Sequence, residues 1–219
     1  MNIAEKLLYR FTIVLSQIVF RPTISEIMGI ENLPQTGGFI IASNHVNPYD
    51  PFVIVAVIAG FLRKNYFKYG KQLYYVGMVG LKKRIYSFFL NENLGFLVNS
   101  INGANRAVEL LDEGNVLGIF PEGRRNDNNE LLKAKKGVAF IALLSGLPVI
   151  PVACFGPKIR SFNQGLKGLL ARKKVYFGKP LKFSSRQLSE LKGNPEITLM
   201  VTRTIMFEIA KLWGKSYEF

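Results

Sequence analysis

The chain has 219 residues, 29 Lys and Arg against 15 Asp and Glu, one histidine and one cysteine. That length builds one domain, with room for a short appendage, around a core that needs no staples. One cysteine excludes an internal disulfide and a cysteine-rich metal site, one histidine argues against a histidine-built zinc centre, and a formal charge of +14 points to phosphate-bearing partners.

The first element is "IAEKLLYRFTIVLSQIVFRP", Ile3 to Pro22. Its charge-free run, Phe11 to Phe20, is ten residues long. A bilayer-spanning helix takes roughly twenty. No small-residue cleavage site follows, as it would in a signal peptide. The expectation is an interfacial helix lying in one leaflet, residues 1–21, ahead of a domain at 22–219. The bland alternative is a helix packed on the domain's own core. Arg21-Pro22 ends it.

"TISEIMGIENLP" alternates like a strand, and "GFIIAS" is a short apolar strand. A helix is expected from Pro51 to about Arg63. Leu94–Val98 and Val116–Phe120 read as buried strands, with a helix at Gly103–Glu113 between them and Gly114 suited to its C-terminal cap. "KKGVAFIALLSG" is a helix that stops at Gly146. "LPVIPVACF" and "KKVYFGKPL" are further strands, and Pro195–Trp213 is a last amphipathic helix. This alternation predicts an α/β fold with a largely parallel central sheet flanked by helices, plus the N-terminal membrane-interface helix. Neither an internal repeat nor a Walker-type or dinucleotide-type glycine loop is present.

Two turns carry chemistry. "SNHVNPYDPF" places His45 and Asp50 five apart. On a continuous helix that spacing splays the side chains by roughly 140°. Pro48 forbids such a helix, so the pair sits on a turn between a strand end and a helix start, where α/β active sites gather. Two readings stand: Asp50 as orienting acid for a histidine base, or Asp50-Pro51 as a plain helix start beside a structural imidazole. The second turn is "GIFPEGRRN", Gly118 to Asn126. Gly123 permits close backbone approach, Arg124 and Arg125 are forked phosphate donors, and Glu122 suits holding an arginine or accepting from a hydroxyl. Lys133, Lys135 and Lys136 follow. A solvated surface turn is the alternative.

Charge and grease narrow the partner. Leu131–Ser189 holds twelve Lys/Arg and no acid, and Pro51–Asn91 holds seven and no acid. Yet 48% of the chain is apolar, with 17 phenylalanines. Basic and apolar together suit an anionic lipid surface, where each cation contributes about 1 kcal/mol. They do not suit nucleic acid, for which no helix-turn-helix or RNA-binding signature is present.

The two turns together resemble the glycerolipid acyltransferases, the family of 1-acylglycerol-3-phosphate acyltransferases. Asn44-His45, four residues, then Asp50 is similar to their first block. Phe120-Pro121-Glu122-Gly123-x-Arg125 is similar to the third, and Val149-Ile150-Pro151-Val152 to the fourth. "GIENLP" (Gly29 to Pro34), Lys71-Gln72-Leu73 and "KKG" (Lys135 to Gly137) fall where the family has similar words, so the likeness runs from about Gly29 to Pro157. One block departs: "LGFLVNS" places Ser100 where the family has an arginine associated with the acceptor's phosphate.

The resemblance implies acyl transfer from a thioester, acyl-CoA or acyl carrier protein, to a lysophospholipid hydroxyl. His45 is then the general base and Asp50 its orienting acid. Glu122, Gly123, Arg125 and Lys71 bind the acceptor's phosphate end. It implies no metal, no cofactor and no nucleic acid, and a place on the cytoplasmic face of a membrane, the inner one in a bacterium. Ser100 keeps alternatives open: another lysolipid or glycerol-3-phosphate as acceptor, or a non-catalytic lipid-binding protein of the same fold. The oligomeric state is not legible.

Overall fold

The computed structural model describes residues 3–62, 73–77, 95–97, 101–126, 130–158 and 162–218. Its centre is a seven-stranded sheet in the order β1-β7-β6-β2-β5-β3-β4. The strands are β1 (Ile24–Met28), β2 (Phe39–Ser43), β3 (Leu73–Gly77), β4 (Gly95–Leu97), β5 (Val116–Ile119), β6 (Val149–Phe155) and β7 (Lys173–Phe177). The helices are α1 (Ile3–Phe20), α2 (Asp50–Leu62), α3 (Ile101–Asp112), α4 (Gly137–Ser145), α5 (Phe162–Leu170), α6 (Leu188–Gly193) and α7 (Pro195–Trp213).

Helices cover both faces of the sheet, which explains the unbroken apolar run of β2. Every residue of β2 is buried. Successive side chains point to opposite faces. Ile40 and Ala42 therefore join α3, α4 and α7 in one core. Phe39 and Ile41 join α2 and the end of α1 in the other. Gly29, just after β1, has φ +69, and a Cβ there would lie 2.0 Å from Phe177 O. No side chain fits that approach.

The alternation of elements predicted a largely parallel sheet; the sheet is mixed, with five of its six neighbouring pairs parallel and one antiparallel. β2 pairs in parallel with both β5 and β6. β6 and β7, however, run antiparallel, with Phe155 opposite Lys174. A helix between two strands normally carries the chain back across the sheet and makes them parallel. Here α5 makes no such crossing. Phe155 ends β6 and Lys173 begins β7, so the chain returns at the end where it left. The clamp holding α5 there is Lys173. Its Nζ donates to Gly168 O at 3.0 Å, Leu169 O at 2.9 Å and Ala171 O at 2.7 Å, and lies 3.4 Å from Thr23 Oγ1.

The N-terminal helix leaves much of its apolar surface uncovered. Thr12 and Ser16 are buried, whereas Leu7, Phe11, Val14 and Ile18 are each more than half exposed. Its buried side packs along α2. Among the described residues, no helix is long and apolar enough to cross a membrane.

Candidate active site

β2 and β5 lie side by side and parallel, with Ala42 opposite Ile119. Their C-terminal ends therefore deliver both predicted turns to one place. His45 stands two residues beyond β2, and Glu122 three residues beyond β5. The pairing brings together residues 77 apart in sequence: His45 N donates to Glu122 Oε1 at 3.2 Å.

Within the first turn Asp50 folds back as the proline break allowed. One oxygen, Oδ2, accepts from Val46 N at 2.8 Å and Asn47 N at 2.7 Å, and lies 3.1 Å from His45 Nδ1. These amides precede the helix, so the carboxylate does not cap α2. Helix initiation falls to Asn47, whose Oδ1 accepts from Tyr49 N at 2.9 Å, while Val53 N donates to Tyr49 O at 2.9 Å. Pro51 sits in the first turn, where a missing N–H costs nothing. Asp50 thus contacts the imidazole and two amides of its own turn.

The consequence for the ring is definite. Nδ1 faces a carboxylate, which accepts only, so a neutral imidazole carries its proton there and keeps a lone pair at Nε2. Asp50 is buried, while the His45 side chain keeps 19% of its surface exposed. Phe120 stacks on the ring at 4.2 Å between centroids and 22° between planes.

The second turn is built around a buried carboxylate. Glu122 Oε2 accepts from Asn126 Nδ2 at 2.6 Å and Leu132 N at 2.8 Å, while Oε1 takes the His45 amide. Burial raises its pKa above the ordinary carboxylate value, against the pull of those donors. Its two oxygens thus meet two main-chain amides and one side-chain amide. Gly123, φ +68, gives the turn its left-handed residue. Arg124 and Arg125 are exposed, as are Lys133, Lys135 and Lys136. Lys135 N donates to Pro121 O at 2.8 Å, which brings the lysine segment beside the arginine turn. Lys71 and Ser100 lie outside the described residues.

Three asparagines to which the sequence reading gave no role lock this arrangement, all fully buried. Asn44 mimics a strand residue: its Oδ1 accepts from Cys154 N at 2.7 Å and its Nδ2 donates to Cys154 O at 3.0 Å. Asn47 Nδ2 donates to Pro157 O at 2.9 Å. Asn126 N donates to His45 O at 2.6 Å. The only sequence hint was their position, each inside or at the end of a chemical motif. Cys154 itself is buried, and loss of solvent holds its thiol pKa well above the ordinary value, so it is an inert wall.

The family model described as Acyltransferase matches residues 25–155, a span holding both turns. A 1-acyl-sn-glycerol-3-phosphate acyltransferase of Bacillus subtilis is 30% identical over 156 residues, 69% of this chain and 70% of that protein. One of Borreliella burgdorferi is 29% identical over 149 residues, 64% of this chain. The aligned part spans little more than half, 56%, of that relative's length. The fold is similar to that of the crystal structure of the 1-acyl-sn-glycerophosphate acyltransferase PlsC from Thermotoga maritima, with a TM-score of 0.58. That match is 21% identical in sequence and covers 98% of this chain and 83% of that one.

Proposed function

Because the chain belongs to the Acyltransferase family, we infer that it moves a fatty acyl group from an acyl thioester to the free hydroxyl of lysophosphatidic acid, making phosphatidic acid. One observation carries the mechanism: Asp50 holds Nδ1 of a partly exposed His45 at 3.1 Å, leaving the basic Nε2 for a substrate. His45 Nε2 takes the hydroxyl proton as the oxygen attacks the thioester carbonyl carbon. Asp50 stabilises the imidazolium that forms. The tetrahedral intermediate then expels the thiolate, which takes the proton back from the imidazolium. The products are an ester and a thiol, and no protein nucleophile takes part.

Positioning supports the same reading. Arg125 directly precedes Asn126, which bonds to the His45 carbonyl, so a phosphate held by its guanidinium keeps the acceptor hydroxyl near the base. Gly123 lets that turn approach the head group, and Lys71 is proposed to add to the same charge. The relatives' names carry lysophosphatidic acid as acceptor. Both donors, acyl-CoA and acyl carrier protein, are acidic and suit the basic stretch from Lys158 to Arg186. The exposed apolar face of α1 supports attachment to one leaflet.

The test is to offer purified protein labelled acyl-CoA and acyl carrier protein with a panel of lyso-acceptors, and to identify products by mass spectrometry. Phosphatidic acid is the expected product. Another acceptor preferred over lysophosphatidic acid would move the assignment to a sibling reaction, the outcome that Ser100 would explain. No transfer to any acceptor overturns the enzymatic reading in favour of a lipid-binding protein.

A further inference from the structure

The main-chain polar atoms of His45 are not satisfied by its own turn. The N–H goes to Glu122 Oε1 at 3.2 Å, and the carbonyl accepts from Asn126 N at 2.6 Å. The base is therefore hung from the neighbouring turn. A buried carboxylate can hold it only if it is itself fixed. Asn126 supplies that: its Nδ2 donates both to Glu122 Oε2 and to Glu130 O, each at 2.6 Å. A neutral side chain with two N–H donors meets a carboxylate and a carbonyl at once. Serine has one donor, and aspartate would set a second carboxylate against the first.

We propose that Asn126, with the Glu122 carboxylate it fixes, is a positioning bracket for the His45 base and not part of the acceptor's binding surface. Asn126 has no exposed surface and Glu122 only 3%. Each amide hydrogen of the Asn126 side chain already has an acceptor. A buried anion also repels the phosphate that the arginine turn is suited to bind. Asn126 thus acts on the reaction only through where His45 sits. Its Phe120 face and Asp50 edge orient the ring, and the bracket sets the backbone from which the ring projects.

The kinetic half of the test rests on the acyl-transfer reading; the spectroscopic half does not. His45 is the only histidine, so protein labelled with ¹⁵N-histidine gives one imidazole spin system and reports this site alone. Wild type should show the Nδ1–H tautomer. Asn126→Ala should shift that signal toward mixed tautomers or broaden it. It should also lower kcat by about tenfold to a hundredfold, the cost of misplacing a catalytic group, with the acceptor KM within about twofold. Arg125→Ala should do the reverse, raising acceptor KM with the imidazole signal unchanged. If Asn126→Ala does not fold, Asn126→Ser keeps one donor and should give a smaller change of the same kind. An unchanged imidazole signal in a folded variant overturns the bracket, as does a raised acceptor KM at unchanged kcat. If wild type shows no transfer with any acceptor, the functional reading fails while the imidazole signal still decides the bracket.

Discussion

His45 is constrained on three sides: Asp50 at its Nδ1 edge, Phe120 on its face, and Glu122 with Asn126 at its backbone. In the proposed mechanism this fixation serves the base at Nε2. His45→Ala should therefore lower turnover by roughly 10²–10⁴-fold, the usual worth of a general base. Folding, read by circular dichroism, should be unaffected. Near-normal transfer in that variant would remove the base from the mechanism. Glu122 makes a second prediction, on stability. Its pKa is raised by burial, so the folded state binds its proton more tightly than the unfolded state does. Below the ordinary carboxylate pKa both states are protonated, and above the raised value both are ionised. Between the two, stability falls as pH rises. Glu122→Gln removes the titration, so denaturant melts over that window should decline less steeply than in wild type. Equal slopes in the two proteins would show that burial does not govern this carboxyl.

At the scale of elements, the long periodic segments were legible. Pro195–Trp213 is α7 to the residue, and β2 and β6 stand where their apolar runs placed them. The His45 turn was legible because a strand end, a proline and a helix start lie within ten residues. The Glu122 contact was not, since it depends on which strands are neighbours, and no local pattern encodes strand order. The antiparallel step at β7 was missed for a related reason. Strand and helix alternation gives the same sequence pattern whether the helix crosses the sheet or folds back at one end. What decides is Lys173, which in sequence reads as one more basic residue in "ARKK" and in the fold is almost fully buried. It ends α5 by satisfying carbonyls that a helix C-terminus leaves open, and it binds Thr23 at the exit of α1. Burial lowers its pKa below the ordinary lysine value. Lys173→Met keeps the stem and removes the ammonium, leaving those carbonyls short of a donor. The expected cost is about 2–3 kcal/mol, or a fall in Tm of about 5–10 °C. A melting curve superimposable on wild type would show that the α5 clamp contributes nothing to stability.

Over the whole molecule, exposed apolar surface is unevenly shared. On α7, Met200 and Phe207 are exposed but stand seven residues apart, with exposed Arg203 and Thr204 between them. Scattered residues of that kind are ordinary. On α1, Leu7, Phe11, Val14, Leu15 and Ile18 are all exposed, while the polar Thr12 and Ser16 face inward. Exposed Arg10 and Arg21 flank that stripe. That stripe suits the proposed contact with a leaflet, with cations placed for anionic head groups. Burying two side chains such as Phe11 and Ile18 contributes about 3–6 kcal/mol together. A Phe11→Glu, Ile18→Glu double variant should thus lose cosedimentation with phosphatidylglycerol-containing vesicles by a hundredfold or more in affinity, about the factor that energy implies. Both side chains are at least 60% exposed, so the fold should tolerate the change. Transfer to a detergent-dispersed acceptor should continue, because the His45 turn is built from β2, β5 and α2. Added salt should weaken wild-type binding to anionic vesicles but not abolish it, since the apolar part is not screened. Wild-type cosedimentation in the double variant would leave α1 as a packing helix and move the membrane contact elsewhere on the protein.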